Sequence, residues 1–129
     1  MQSHRCYHPS GEVFDLFQNP EGIYLCPVCG SPEFNDPPYS ATGSPSFDMC
    51  SCGFEFGYDD SQLATRDAVV GIAANWKRYR AHVIAKAAES PNELRKLEEN
   101  LRHIGRRLVF DLIDVPIKTN GEQGVAPNP

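Results

Sequence analysis

An α+β fold, with a ribbon of short antiparallel strands packed on a C-terminal helical hairpin, is what this 129-residue sequence predicts. Two cysteine pairs, Cys26/Cys29 and Cys50/Cys52, bracket a proline-rich loop. The stretches beside them are short and favour extended backbone. After Asp60 the apolar residues switch to helical spacing. With 40% hydrophobic and 22% charged residues, the composition is that of a folded chain rather than a disordered one. The length suits one domain, divided into a cysteine-bearing ribbon half at 1–60, a helical half at 61–118 and a flexible tail at 119–129.

Residues 1–22 are largely polar, with one apolar patch in which Val13 and Phe14 begin a short strand. Ile23, Tyr24 and Leu25 favour a strand that runs into the turn Cys26-Pro27-Val28-Cys29-Gly30. Pro32, Pro37, Pro38, Gly43 and Pro45 make residues 31–46 a loop. Ser46 to Cys50 can return as a second strand, and Phe54-Glu55-Phe56 alternates with period two.

In the second half, Val69, Ile72, Ala73, Trp76, Val83, Ile84 and Ala87 recur at helical spacing, which predicts a long helix over 64–88. Ser90, Pro91 and Glu93 form a helix-start signal: a capping hydroxyl, a proline suited to the first turn, and an acid three residues after the cap. Leu94, Leu97, Leu101, Ile104 and Leu108 then extend an apolar seam that predicts a second helix packed on the first. Residues 109–117 suit either a continuation of that helix or a strand ended by Pro116.

The five cysteines are an odd count, a poor disulfide framework and a better metal set with one left over. A C-x-x-C-G turn aims two sulfurs at one point, and Gly30 tolerates the positive φ that follows. Cys50 and Cys52 offer a second pair, one residue tighter. Cys26, Cys29, Cys50 and Cys52 together would hold a structural zinc ion, Zn2+, as a closed tetrahedral site. Two alternatives stand beside that one: Cys6 or His8 replaces one of the four, or the cysteines serve as small core residues. An all-thiolate site has no open position for water, which argues against catalysis at the metal.

Charge divides along the same line. Residues 1–60 carry one Arg against nine acids, whereas residues 61–110 carry ten Lys and Arg against five. The acids Glu33, Asp36, Asp48, Glu55, Asp59 and Asp60 are candidates for steering a cationic protein partner. Adjacent Asp59 and Asp60 suit a turn leading into the helix better than a catalytic pair. The cluster Lys77, Arg78, Arg80 with Tyr79, together with Arg95, Lys96, Arg102, Arg106 and Arg107, admits contact with nucleic acid, but the net charge of −5 weighs against it, and Trp76 fits the apolar stripe. His82 and His103 sit alone on separate helices, and no nucleophile elbow or phosphate-cradling loop is present. No apolar run approaches the roughly 18–20 residues that span a bilayer, and the N-terminus has no apolar leader, so the expected address is the cytoplasm.

The ordered landmarks Cys26-Pro27-Val28-Cys29-Gly30, Pro37-Pro38-Tyr39, Phe54-Glu55-Phe56-Gly57-Tyr58-Asp59-Asp60 and the Trp76 helix resemble the bacterial cysteine-rich CPCC family of small zinc-ribbon-like proteins. The resemblance spans residues 23–88 and departs from the family in the short Cys50-Ser51-Cys52-Gly53 pair. It implies a non-enzymatic role: some members look like immunity proteins that neutralise a cognate toxin by binding it. The residues themselves allow a runner-up, a small regulatory protein that binds nucleic acid through its basic helices. The leucine seam makes self-association through the helical hairpin a further expectation.

Overall fold

Residues 2–7, mostly polar, form a strand because they have a partner. In a computed structural model that describes residues 1–60, 71–110 and 112–117, β1 (Gln2–Tyr7) pairs antiparallel with β2 (Val13–Gln18) over six residues, from Gln2 opposite Gln18 to Tyr7 opposite Val13. β3 (Tyr24–Leu25) and β4 (Pro32–Phe34) complete an antiparallel sheet in the order β1-β2-β3-β4. β2 begins at Val13 as the apolar patch predicts, whereas β1 went unforeseen. Only Cys6 in β1 is buried, so its sequence carries little apolar signal, and its ladder with β2 supplies the order.

The expected return strand at Ser46 to Cys50 is reduced to single bridges, Tyr39 with Pro45 and Met49 with Glu55. Phe47, at φ 66, interrupts the extended backbone there. The period-two reading of the next stretch holds: Phe54 and Phe56 are fully buried and Glu55 between them is not.

α1 (Ile72–Ala87) and α2 (Pro91–Arg102) form the helical hairpin. The predicted start of the first helix, residues 64–70, lies outside the described residues, as does the tail from 118. α1 is capped from a distance: both carboxylate oxygens of Glu12 accept from its first amides, Ile72 N at 2.8 Å and Ala73 N at 2.9 Å. An acid at this end also complements the helix dipole. Ser90 takes the N-cap position of α2 with extended backbone and Pro91 follows it, but its hydroxyl makes no capping bond. The seam outlasts the helix. α2 ends at Arg102, Gly105 turns the chain at φ 78, and Ile104 and Leu108 stay buried from the turn and from β5 (Arg106–Val109). Of the two readings of this stretch the strand one holds: β6 (Ile113–Pro116) ends at Pro116, and the helix does not extend past Arg102. β5 pairs antiparallel with β6 (Ile113–Pro116) as a hairpin.

One buried cluster joins the two halves, from Cys6, Phe14 and Leu16 in the sheet to Trp76 and Ile84 in α1 and Leu97 and Leu101 in α2. Its centre is aromatic. The ring of Phe14 meets Trp76 edge-on at 5.0 Å, Tyr39 meets Phe56 at 5.6 Å, and Phe54 meets Tyr79 at 5.2 Å. Trp76 is thus a core residue, donating its indole N–H to Tyr39 Oη at 3.1 Å.

Candidate metal centre

The two cysteine turns are built alike despite their different lengths. In the first, Cys26 N donates to Ser31 O, Gly30 N donates to Cys26 O at 2.8 Å, and Val28 N donates to Cys26 Sγ at 3.4 Å. In the second, Cys50 N donates to Phe54 O, Gly53 N donates to Cys50 O at 2.8 Å, and Cys52 N donates to Cys50 Sγ at 3.4 Å. Each turn keeps an amide aimed at its first sulfur and a glycine closing onto its first carbonyl. The residue missing from the second lies between those two bonds, so the shorter turn preserves the pair that orients the sulfur.

The turns face each other. Sγ of Cys26 lies 4.0 Å from that of Cys52, Sγ of Cys29 lies 3.6 Å from that of Cys50, and all four sulfurs fall within 4.8 Å of one another. An ion with metal–sulfur bonds of about 2.3 Å in a tetrahedron spaces its sulfurs about 3.8 Å apart, so the set can hold a metal ion. Cys6 is not in this set: it is buried in β1 opposite Phe14, a small core residue as far as its packing goes. Nor is His8, whose Nδ1 lies 2.8 Å from Ser10 Oγ in a loop. Burial, reinforced by hydrogen bonding with Cys29, Cys50 and Cys52, pushes the Cys26 thiol well above its ordinary value. An incoming ion must therefore displace protons, which makes uptake pH-dependent.

The helices seat directly on the two turn glycines. Gly30 (φ 82) lies so close to the end of α2 that a Cβ there would overlap the Asn100 carbonyl. Gly53 (φ 100) lies under the Tyr79 hydroxyl of α1. Arg80 of α1 then grips the first turn. Its guanidinium donates to the carbonyls of Val28 (2.5 Å) and Pro27 (2.8 Å), and to Asp114 of β6 at 2.8 Å. Arg106 donates to the other oxygen of Asp114 at 2.7 Å. The Pro27–Val28 peptide consequently has its carbonyl on a buried cation and its amide on Cys26 Sγ, an alignment that polarises it towards the sulfur. Burial pulls the Asp114 carboxyl upward, but the hydrogen bonds and charges of Arg106 and Arg80 outweigh it and hold it below its ordinary value.

Several acids proposed for a partner are engaged within the molecule. Glu33 braces the second turn: Oε1 accepts from Ser51 N at 3.0 Å, and Oε2 accepts from the Ser51 hydroxyl and from Cys50 Sγ. Partial burial raises the Glu33 carboxyl and the Ser51 bonds more than reverse that, so it stays below its ordinary value. Asp60 is 6% exposed and does not belong to a docking face. Its carboxylate accepts from the Tyr39 hydroxyl and from Gly57 N, and its backbone carbonyl accepts from Asn75 Nδ2, so it organises the core rather than capping α1. Burial and then Asp60 keep the Tyr39 hydroxyl protonated well beyond its usual range. Asp59 accepts from Glu55 N at 2.7 Å and closes the expected turn. Asp36 and Asp48 are exposed. In the basic cluster, Arg80 is buried and committed, while Lys77 and Arg78 remain on the surface.

Around the second turn the surface is unusually apolar for its charge. Phe47 (66% exposed), Met49 (60%) and Tyr58 (59%) stand beside Asp48, Glu55 and Asp59. Phe47 holds a left-handed backbone at φ 66, with its ring against Gly57. The sequence marks these residues only as neighbours of the cysteines, because exposure of an aromatic is decided by the fold. Among the described residues no helix is long and apolar enough to cross a membrane. Compared with protein-family models, with curated proteins and with solved structures, the chain matches none of them.

Proposed function

We propose that this is a cytoplasmic, non-enzymatic binding protein of the CPCC kind, an immunity protein that neutralises a cognate toxin by direct contact. The ion it would hold is zinc, bound by Cys26, Cys29, Cys50 and Cys52 in a structural role. Four thiolates with no water position suit a closed site, and the short loops beside them need a staple more than a Lewis acid. The observation that carries the binding role is the exposure of Phe47, Met49 and Tyr58 around the second turn, with Asp48 between the first two in the chain and Glu55 bridged to Met49. Exposed aromatics and Met are enriched in protein interfaces, and acids beside them favour a basic partner. A non-glycine residue held in the left-handed region, as Phe47 is, is also a mark of functional constraint. The nucleic-acid alternative is weaker, since Arg80 and Arg106 are spent on Asp114.

The test is capture of the partner from the native cell with the full chain, then growth rescue by co-expression with it. A stoichiometric complex is expected, weakened at least about tenfold, or 1.4 kcal/mol, by Phe47→Ala combined with Tyr58→Ala. Undiminished binding by that variant, or binding instead to duplex DNA with a steep salt dependence, would refute the proposal.

A further inference from the structure

Within the four-cysteine centre one sulfur is different. Cys26, Cys29 and Cys50 are 0%, 5% and 2% exposed, whereas Cys52 is partly open. Two adjoining clefts, of about 520 and 210 Å³, share Ser51, Cys52, Val83, Ala87 and Glu93 in their walls, so together they form one groove between the helices that has Cys52 in both parts and the buried Cys29 in the wall of the smaller part only. The larger is within the size range of a small-molecule pocket. Backbone amides donate to Cys26 Sγ and Cys50 Sγ, but among the described residues none donates to Cys29 Sγ or Cys52 Sγ, and of those two Cys29 is buried. A metal-bound thiolate without such donors keeps more electron density at sulfur and is the better nucleophile.

We infer that Cys52 is a modification site: the sulfur at which small disulfides and soft carbon electrophiles enter the centre, with release of the metal. The inference rests on the four-thiolate metal reading. For a small disulfide the step is an exchange. Cys52 Sγ attacks one sulfur, the disulfide bond breaks, and one thiolate leaves and takes a proton from water. The mixed disulfide on Cys52 no longer carries the negative charge that bound the ion. Cys26 Sγ, 4.0 Å away, then attacks the Cys52 sulfur and expels the second thiolate. Two protein thiolates have lost two electrons, the reagent has become two thiols, and the ion leaves a site with two sulfurs fewer.

The experiment uses the full chain, first assayed for metal, then exposed to substoichiometric N-ethylmaleimide and separately to glutathione disulfide. Tandem mass spectrometry locates the first adduct, and a chromogenic chelator follows metal release. Cys52 should carry the first adduct with both reagents, and metal should appear in step with it. Ala87→Phe, which narrows the groove, should slow both severalfold. A first adduct on Cys26, Cys29, Cys50 or Cys6, or metal release that Ala87→Phe leaves unchanged, would overturn the inference. Protein that carries no metal as isolated would instead refute the centre itself, so the two failures are distinct.

Discussion

The first and second cysteine turns share their backbone bonds but not their surroundings. Cys26 and Cys29 lie under α2, with Arg80 holding two carbonyls of the turn and Asp114 holding Arg80. Cys50 and Cys52 lie under a single tyrosine, braced by the partly exposed Glu33, with one sulfur open to a groove. The same turn has been buried once and displayed once. The buried copy anchors three separate elements (α1, α2 and the β5–β6 hairpin). The displayed copy carries Phe47, Met49 and Tyr58 on the loops around it. A metal ion held by both turns would let the rigid half position the exposed half.

The most severe way to break this relationship is to remove a ligand from the buried turn. Structural zinc contributes about 10–16 kcal/mol of apparent folding energy in small metal sites at neutral pH, as much as the roughly 5–15 kcal/mol net stability of a whole domain. Cys26→Ser should therefore lose both the metal and cooperative unfolding. Cys6→Ser should keep its metal and lose about 1–2 kcal/mol for a core thiol replaced by a hydroxyl. Elemental analysis with thermal denaturation reads both. Metal retained by Cys26→Ser would remove that residue from the ligand set.

This division between the turns was only half legible in the sequence. The clustering of the four cysteines was readable because thiols at short spacing are a local signal, and α2 was readable from Pro91 and Glu93 near its start. Trp76 could be assigned to the core because it falls on the apolar stripe. Arg80 could not be told from Lys77 and Arg78, since its acceptors are carbonyls 52 and 53 residues away. Asp60 looked like its neighbour Asp59 for the same reason: its partner, Tyr39, is 21 residues back in the chain. β1 was missed because its order comes from pairing with β2, not from its own polar residues. Long-range polar contacts and cross-strand order leave little trace in local pattern.

Arg80→Met tests whether the buried turn depends on its cation. The methionine fills most of the space but leaves two carbonyls and one oxygen of Asp114 without their donor. Breaking a buried ion pair from one side costs about 3–5 kcal/mol. Glu33→Gln at the displayed turn should cost about 1 kcal/mol or less, because that carboxylate is exposed and an amide oxygen can still accept from Ser51. The acid limb of stability gives a second measure. Asp114 and Glu33 both have folded pKa values below their ordinary ones. Their stabilisation is thus complete above about pH 4–5, where the unfolded groups ionise, and is lost as pH falls through the lower folded values. Asp114→Asn should flatten the acid limb of urea-unfolding curves more than Glu33→Gln does. Equal flattening would mean that the two turns are braced equally.

The smallest and sharpest comparison is between the two glycines. Both need positive φ, so alanine strains either by about 1 kcal/mol through the backbone alone. At Gly53 the added methyl meets the far end of Tyr79, a side chain that can swing aside. At Gly30 it meets the Asn100 carbonyl, which cannot move without shifting the end of α2. Overpacking against fixed backbone adds about 1–3 kcal/mol. Gly30→Ala should therefore cost about 2–4 kcal/mol by urea denaturation and Gly53→Ala about 1–2 kcal/mol. The side effects should differ as well. Gly53→Ala displaces Tyr79 from the wall of the groove beside Cys52 and should speed maleimide addition there, whereas Gly30→Ala loosens α2 over Cys26 and Cys29 and should expose sulfurs that are otherwise closed. If the order of stabilities came out reversed, the second turn, not the first, would be the one that α1 and α2 are built to hold.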